Sequence, residues 1–189
     1  MILAAVALVA AASTWNLDPS HSQAAFTVRH LMVSNVRGEF RKLVGSLQFD
    51  AKDPSKSSVA VSIDAASIDT RDEKRDAHLK SPDFFDVAKT PKLTFKSTKI
   101  EKGGAGYHVT GDLSMHGVTR SVILDVEGPT APMKTPWGTE AMGLSGTTTI
   151  NRKDFGLVYN SPLEAGGVMV SDTVKISIDA EFVKAPPAK

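Results

Sequence analysis

Apolar and polar residues alternate along residues 23–30, and this alternation constrains the fold more than any other feature of the chain. The apolar face carries Ala24, Phe26 and Val28, and the polar face carries Gln23, Thr27 and Arg29. A period of two is typical of a β-strand with one buried side and one solvent-facing side. Most of the chain repeats this pattern, which predicts one closed or nearly closed sheet with an apolar interior.

Seven further segments alternate in the same way. They cover residues 36–50, 59–64, 93–98, 107–115, 118–127, 141–150 and 174–182. Gly38 and Gly45, both in the first of these segments, predict a bend or bulge. Eight antiparallel strands can close into a barrel about 25 Å tall, which holds side chains alone or one small ligand. The predicted fold class is therefore all-β, an eight-stranded antiparallel barrel.

A highly charged segment between the third and fourth predicted strands interrupts the alternation. Asp69 or Thr70 is expected to cap a short helix there, ending near Leu79. Phe84 and Phe85 follow this helical insertion. Two adjacent large apolar side chains should be buried, either in the core or at the lip of a pocket.

Composition narrows the function classes. A chain of 189 residues suits a single domain, and a net charge of +1 indicates no large basic face, so we expect no nucleic-acid partner. The absence of cysteine excludes disulfides, thiolate metal sites and cysteine nucleophiles.

Residues 1–13 differ in kind from the rest of the chain. They form an apolar run ending in small residues, with Ala10 and Ala12 in an A-x-A arrangement. The run is shorter than the roughly 20 residues that span a bilayer, so we expect no transmembrane segment. It resembles the apolar part and cleavage region of a secretory signal, although a basic n-region is missing; the alternative is a frayed apolar tail. The predicted domain then covers 14–183, followed by a disordered tail at 184–189.

Catalytic motifs are missing from the sequence. Its five histidines include no pair at i+2 or i+4, and no HExxH, EF-hand loop, Walker loop, complete GxGxxG or GxSxG elbow occurs. We therefore expect no catalytic residue, no metal site and no cofactor.

Three polar clusters remain as candidates for ligand contact. They are residues 18–22, 75–79 and 151–156. One interpretation is that the clusters gather near the end of the barrel and hold the head group of a ligand. The alternative is local, with Asp18 capping a turn and Arg75 forming a weak surface ion pair with Asp76.

Several motifs occur in a fixed order along the chain. They are Trp15-x-Leu17-Asp18-x-x-His21-Ser22, Phe26-x-Val28-x-His30, Gly38-Glu39-Phe40, Arg75-Asp76-x-His78-Leu79, Asp83-Phe84-Phe85, Gly111-Asp112-Leu113, Gly117-Val118-Thr119 and Arg152-x-x-Phe155-Gly156. Together they resemble the YceI-like family over residues 14–183. The resemblance implies an extended, lipocalin-like barrel that binds a polyisoprenoid or similar long amphiphilic lipid, isoprenoid quinones included, in an apolar tunnel. It also implies a bacterial, periplasmic or secreted protein, often a homodimer, and allows transient membrane contact.

Two sets of ligand-binding residues follow from this comparison. The predicted tunnel lining is Phe26, Val28, Leu47, Phe49, Val61, Ile63, Phe84, Phe85, Leu93, Phe95, Leu113, Leu124 and Ile176. The predicted head-group contacts are His21, His30, Arg75, His78 and Arg152. For each lining residue the alternative is ordinary core packing, since a filled barrel and a lined tunnel share one pattern. Arginine suits a phosphate through bidentate contact, whereas a quinone carbonyl needs only a donor.

The sequence thus supports three hypotheses. The first is non-catalytic binding or transport of a long-chain lipid. The second is an enzyme that uses a histidine and a carboxylate on a bound lipid. The third is a filled-barrel interaction module in stress response, which acts through its surface or a dimer face.

Overall fold

The computed structural model describes residues 13–162 and 167–186. The strands in these ranges are β1 (Ser13–Leu17), β2 (Gln23–His30), β3 (Ser34–Phe40), β4 (Leu43–Phe49), β5 (Ser58–Asp64), β6 (Ile68–Asp69), β7 (Lys92–Gly103), β8 (Gly106–Met115), β9 (Val118–Glu127), β10 (Met133–Lys134), β11 (Glu140–Asn151) and β12 (Val170–Lys184). The α-helix of this part of the chain is α1 (Glu73–Lys80). With eight residues it is too short to cross a membrane, and the described residues hold no helix that could. The predicted signal segment lies outside the described residues, apart from Ser13.

Eight strands close the sheet into a barrel. Their order around the ring is β11-β9-β8-β7-β5-β4-β1-β12, and pairing of β12 with β11 completes the circle. All of these pairings are antiparallel. The predicted all-β, eight-stranded antiparallel barrel with a short helical insertion is confirmed.

The long strand β12 carries two partners on one edge. Leu17 of β1 pairs with Phe182, whereas Gln23 of β2 pairs with Asp179, so β1 and β2 act as one interrupted strand. The alternation predicted β2 but missed β1, which is the member of the closed ring. β12 also runs through Lys184, one residue beyond the predicted end of the domain. Residues 187–189 of the predicted tail lie outside the described residues.

The predicted second strand is divided into β3 and β4 at Arg41 and Lys42. A bulge is absent at Gly38 and at Gly45, because both glycines lie in regular ladders with β2 and β5. Gly38 instead makes room for an aromatic ring, since a Cβ there would overlap the ring of Phe26.

Helix α1 begins two to three residues later than the sequence predicts. Its N-cap is Asp72, whose side chain accepts a hydrogen bond from the backbone N–H of Arg75 at 3.0 Å. Neither predicted cap serves, because Asp69 lies in β6 and accepts from the backbone N–H of Arg71, and the Thr70 hydroxyl donates to Asp76. The helix and the segment after it lie at the end of the barrel that we call the helix end.

Candidate functional site

An elongated cavity of about 260 Å³ runs inside the barrel. Leu79, Phe85 and Leu157 line it at the helix end, whereas Pro54 and Pro129 line it at the opposite end. Its volume lies just under the roughly 300–1,000 Å³ of typical small-molecule pockets, although its wall extends along the whole barrel. The cavity is therefore narrow for its length, which suits a linear chain better than a bulky ring system.

Polar side chains are rare in the wall of this cavity. Among the described residues that line it, only Ser57, Thr94, Tyr107, Thr148 and Arg152 carry a polar group, and Arg152 alone is charged. Such a wall offers apolar burial and few hydrogen bonds, so it favours a hydrocarbon occupant.

All thirteen of the residues predicted to line a tunnel lie in this wall. Some of them also belong to the barrel core, because Leu47, Leu93 and Leu124 are less than a tenth exposed and pack in hydrophobic clusters. Contact with a ligand stays a prediction for each. The lining residues that the prediction missed on strands, such as Val109 and Phe182, extend the same alternating faces. Those in connecting segments, such as Pro54 and Pro129, carry no such signal.

Arg152 holds the loop that follows β11. Its guanidinium donates to the carbonyls of Leu157 (2.5 Å), Tyr159 (2.9 Å), Val170 (3.3 Å) and Ser171 (3.0 Å). It also lies 3.4 Å from Asp172 and is only 4 % exposed. Burial lowers the pKa of Arg152 and the charge of Asp172 partly offsets this. The donors of the Arg152 guanidinium are taken up by the chain's own carbonyls. Little hydrogen-bonding capacity is therefore left for the predicted contact with a head group.

Arg75 is likewise engaged within the protein. Its Nε donates to Thr70 Oγ1 and its Nη2 to the Thr70 carbonyl, both at 2.7 Å. Asp76 accepts from the backbone N–H and the hydroxyl of Thr70, at 2.9 and 2.5 Å. The expected surface ion pair between Arg75 and Asp76 is therefore replaced by a network through Thr70 that ties α1 to the barrel.

His78 belongs to an aromatic cluster beside the cavity. Its ring centroid lies 5.1 Å from that of Phe84 and 4.9 Å from that of Tyr159, in edge-to-face geometry. Its Nε2 is 2.9 Å from Oδ2 of Asp83. Arg152 in turn donates to the carbonyl of Tyr159. The contact between His78 and Tyr159 therefore joins the polar clusters 75–79 and 151–156 at the helix end. His30 ends β2 at the same end, paired with Val170.

His21 lies apart from the other four predicted head-group residues. It is exposed on the outer wall, with Nδ1 3.0 Å from Asp18 and 3.9 Å from Glu181. The hydrogen bond with Asp18, reinforced by the charges of both carboxylates, raises the pKa of His21, and the same hydrogen bond lowers that of Asp18. Ligand atoms of the three residues lie within 4.8 Å of one another, as around a cation, but the hydrogen bond explains the arrangement without one. The interpretation in which all three polar clusters gather at the barrel end is wrong for this cluster, and the local alternative holds, since Asp18 caps the turn by accepting from the Ser20 N–H at 2.8 Å.

Two other groups of the 18–22 cluster, the Ser22 hydroxyl and the Asp18 backbone N–H, bond to β12 in the interruption between β1 and β2. The hydroxyl of Ser22 accepts from the Glu181 N–H at 3.0 Å, and the Asp18 N–H donates to the Glu181 carbonyl at 2.8 Å. These bonds satisfy the backbone of β12 where no strand residue pairs with it. The motif residues Asp18 and Ser22 thus serve the barrel wall.

Comparison with known proteins agrees with this architecture. The model of the YceI-like domain family matches residues 15–182. A UPF0312 protein of Staphylococcus aureus strain N315 is 36 % identical over 170 residues, which are 90 % of this chain and 97 % of that protein.

Two solved structures share the fold. The YceI protein of Campylobacter jejuni superposes with a TM-score of 0.71 at 31 % identity, over 84 % of this chain and 90 % of that one. A polyisoprenoid-binding domain from Saccharophagus degradans, implicated in plant cell wall breakdown, superposes with a TM-score of 0.66 at 17 % identity, over 93 % and 99 %. At that identity the second likeness concerns the fold alone.

Proposed function

The chain belongs to the YceI-like domain family, and from this premise we propose that it binds a polyisoprenoid or similar long-chain amphiphilic lipid without catalysis. The observation that carries the proposal is the narrow apolar cavity along the barrel, where Arg152 is the one charged side chain among the described lining residues. The domain of Saccharophagus degradans that shares the fold is described as polyisoprenoid-binding, which agrees with this ligand class.

Burial of hydrocarbon supplies the affinity. Each methylene that leaves water contributes about 0.8 kcal/mol, so a few isoprene units provide a large gross gain. Association and ordering of a flexible chain oppose this gain, and only the surplus appears as affinity. A tail that follows the cavity therefore needs few polar contacts.

The placement of the histidines supports a binding role over the enzyme hypothesis. His21 pairs with Asp18 on the outer wall and His78 pairs with Asp83 at the helix end. Neither histidine lies in the cavity wall, and no other histidine of the described residues does. Among the described residues that line the cavity there is also no aspartate or glutamate, so none of them offers a lipid tail a carboxylate or imidazole base.

Native mass spectrometry with lipid extraction tests the proposal. We expect the purified protein to carry, or to take up, one prenyl lipid or quinone and to melt at a higher temperature when loaded. A protein that stays apo after incubation with such lipids, with an unchanged melting temperature, would leave the filled-barrel interaction module as the better hypothesis.

A matched pair of variants locates the lipid. Ile176 lines the cavity, whereas its neighbour Lys175 is exposed on the outer face of β12. Ile176→Trp should fill the cavity and reduce lipid uptake at least tenfold, and Lys175→Trp should leave uptake unchanged. Equal uptake by both variants would place the lipid outside the barrel.

Finer parts of the proposal rest on the sequence. We place the protein in the periplasm or outside the cell because of residues 1–13, include isoprenoid quinones among the candidate lipids, and propose a homodimer. Cell fractionation, extraction of bound quinone and sedimentation each test one of these points. We also propose transient contact with a membrane. Trp137, which is 83 % exposed on the loop after β10, suits a membrane interface.

A further inference from the structure

The barrel wall has an incomplete seam between β9 and β11. These strands pair only where Ser145–Thr147 face Asp125–Glu127. On their other edges, β9 stays paired with β8 from Val118 onward and β11 stays paired with β12 through Asn151. In the described part of the chain, residues 118–124 and 148–151 therefore adjoin each other without ladder pairing.

A surface groove follows this seam and adjoins the internal cavity. Val122, Thr148 and Ile150 belong both to the groove and to the cavity wall. A single layer of side chains therefore separates the groove from the apolar interior, and no backbone ladder closes the wall at that point. The seam is the place where one molecule could occupy cavity and groove together.

Polar groups gather on the outer side of the seam. The groove is lined by Arg120, Ser121, Asn151 and Asp154. Arg120 is two residues before Val122 in β9 and so lies on the same face of the strand, the face that lines the cavity. The side chain of Arg120 is nevertheless exposed. Its guanidinium donates to the Thr119 carbonyl at 3.3 Å and makes no salt bridge with a carboxylate of the described residues. In contrast to Arg75 and Arg152, Arg120 keeps free donors.

We propose that this groove binds the polar head group of the lipid, with Arg120 as its hydrogen-bond donor and the tail passing between β9 and β11 into the cavity. This inference rests on the proposed lipid-binding function. Arg120 and Asp154 carry opposite charges in the same groove, and Asp154 would repel a phosphate. The groove therefore favours a neutral head group with carbonyl oxygens, as in an isoprenoid quinone, over a prenyl phosphate.

Binding assays on one variant test the role of Arg120. The probes are a short-tailed isoprenoid quinone, the head-group-free hydrocarbon squalene, and farnesyl phosphate. Arg120→Met should weaken quinone binding about tenfold, as expected for loss of a charge-assisted hydrogen bond, and leave squalene binding unchanged. Arg37→Met, a matched change at an exposed arginine of β3 outside both cavity and groove, should alter neither.

Single cysteines locate the head group directly, because the chain has no cysteine of its own. Ser121→Cys places a thiol in the groove, and Ser177→Cys places one on the exposed face of β12. Bound quinone should slow alkylation at position 121 at least fivefold and leave the rate at position 177 unchanged.

The outcomes separate this inference from the proposed function. If neither quinone nor squalene binds the wild-type protein, the lipid-binding function itself fails. If the quinone binds but Arg120→Met matches Arg37→Met and position 121 is unprotected, the head group lies elsewhere and the inference is overturned. Tighter binding of farnesyl phosphate than of the quinone would overturn the assignment of a neutral head group.

Discussion

Arg75 makes two hydrogen bonds to Thr70, since its guanidinium donates to both the hydroxyl and the carbonyl of that residue at 2.7 Å. The same hydroxyl donates to Asp76 at 2.5 Å, and Thr70 is only 4 % exposed. Thr70 directly follows β6, which pairs with β3. One buried threonine therefore fixes helix α1 to the sheet, and the helix carries Leu79 into the cavity wall.

Thr70→Val should lower the free energy of unfolding by about 1–3 kcal/mol, because it removes a buried hydroxyl that both donates and accepts. Urea denaturation measures this change. Thr147→Val makes the same substitution at an exposed position of β11 and should have little effect. Equal stability of the two variants would show that the Thr70 hydroxyl contributes nothing to holding the helix.

Arg152→Lys should destabilise the lipid-free protein by about 3 kcal/mol, since lysine cannot replace a fork of donors that binds four carbonyls. Thermal and urea unfolding of delipidated protein provide the measurement. Unchanged stability of that protein together with weaker lipid binding would instead support the predicted head-group role of Arg152.

Ser22→Ala should lower the free energy of unfolding by about 1 kcal/mol and leave the Glu181 amide without its partner, because the Ser22 hydroxyl accepts from the Glu181 N–H. Hydrogen exchange should show faster exchange of the Glu181 amide. Ser177→Ala, at an exposed position of the same strand, should leave that amide protected. If the amide remains protected in Ser22→Ala, another group closes the interruption between β1 and β2.

The pair of Asp18 and His21 should make stability depend on pH. The pKa of His21 is raised above its ordinary 6.5, so its stabilising contribution is present below that value and is lost as pH rises through the folded pKa. The pKa of Asp18 is lowered, so its contribution is present above the ordinary 3.8 and is lost as pH falls through the folded pKa. His21→Gln should therefore lose more stability at about pH 5.5 than at about pH 9.

Urea midpoints at these two pH values measure the effect. Because both side chains are partly exposed to solvent, we expect the stability loss to differ little between the two pH values and the difference to shrink when salt is added. A stability loss that is larger at the higher pH would contradict the assigned direction.

Trp137→Ser should weaken binding to lipid vesicles without lowering the melting temperature, because Trp137 is exposed and Met133 on the preceding strand β10 is 73 % exposed. Vesicle flotation measures the binding, and Met133→Ser should act in the same direction. Unchanged flotation of both variants would remove this segment from the proposed membrane contact.

Much of the barrel could be predicted because its signal is local. Alternation over residues 107–115 and 118–127 located β8 and β9 with their bounds nearly as observed. β1 was missed although Trp15 and Leu17 alternate with polar neighbours, since five residues before a turn give too weak a period. Its place in the ring follows from pairing with β4 and β12, which are remote in sequence.

The polar site was less predictable than the apolar wall. Arg152 and Arg75 match the residue types that bind a head group, but their partners are carbonyl and hydroxyl groups whose position depends on loop packing. Arg120 carried a signal that the prediction overlooked, since it is a charged residue on the apolar face of a strand. Its significance depends on the neighbouring strand.

The sequence by itself determined which residues face inward, because the side-chain period of an extended chain is set by covalent geometry within each strand. It thereby determined the all-β class and the apolar wall of the cavity. Only the tertiary structure decided where the sheet closes, that β9 and β11 part after three residue pairs, and which arginines keep free donors. These features depend on contacts between segments far apart in the chain, which no local period encodes.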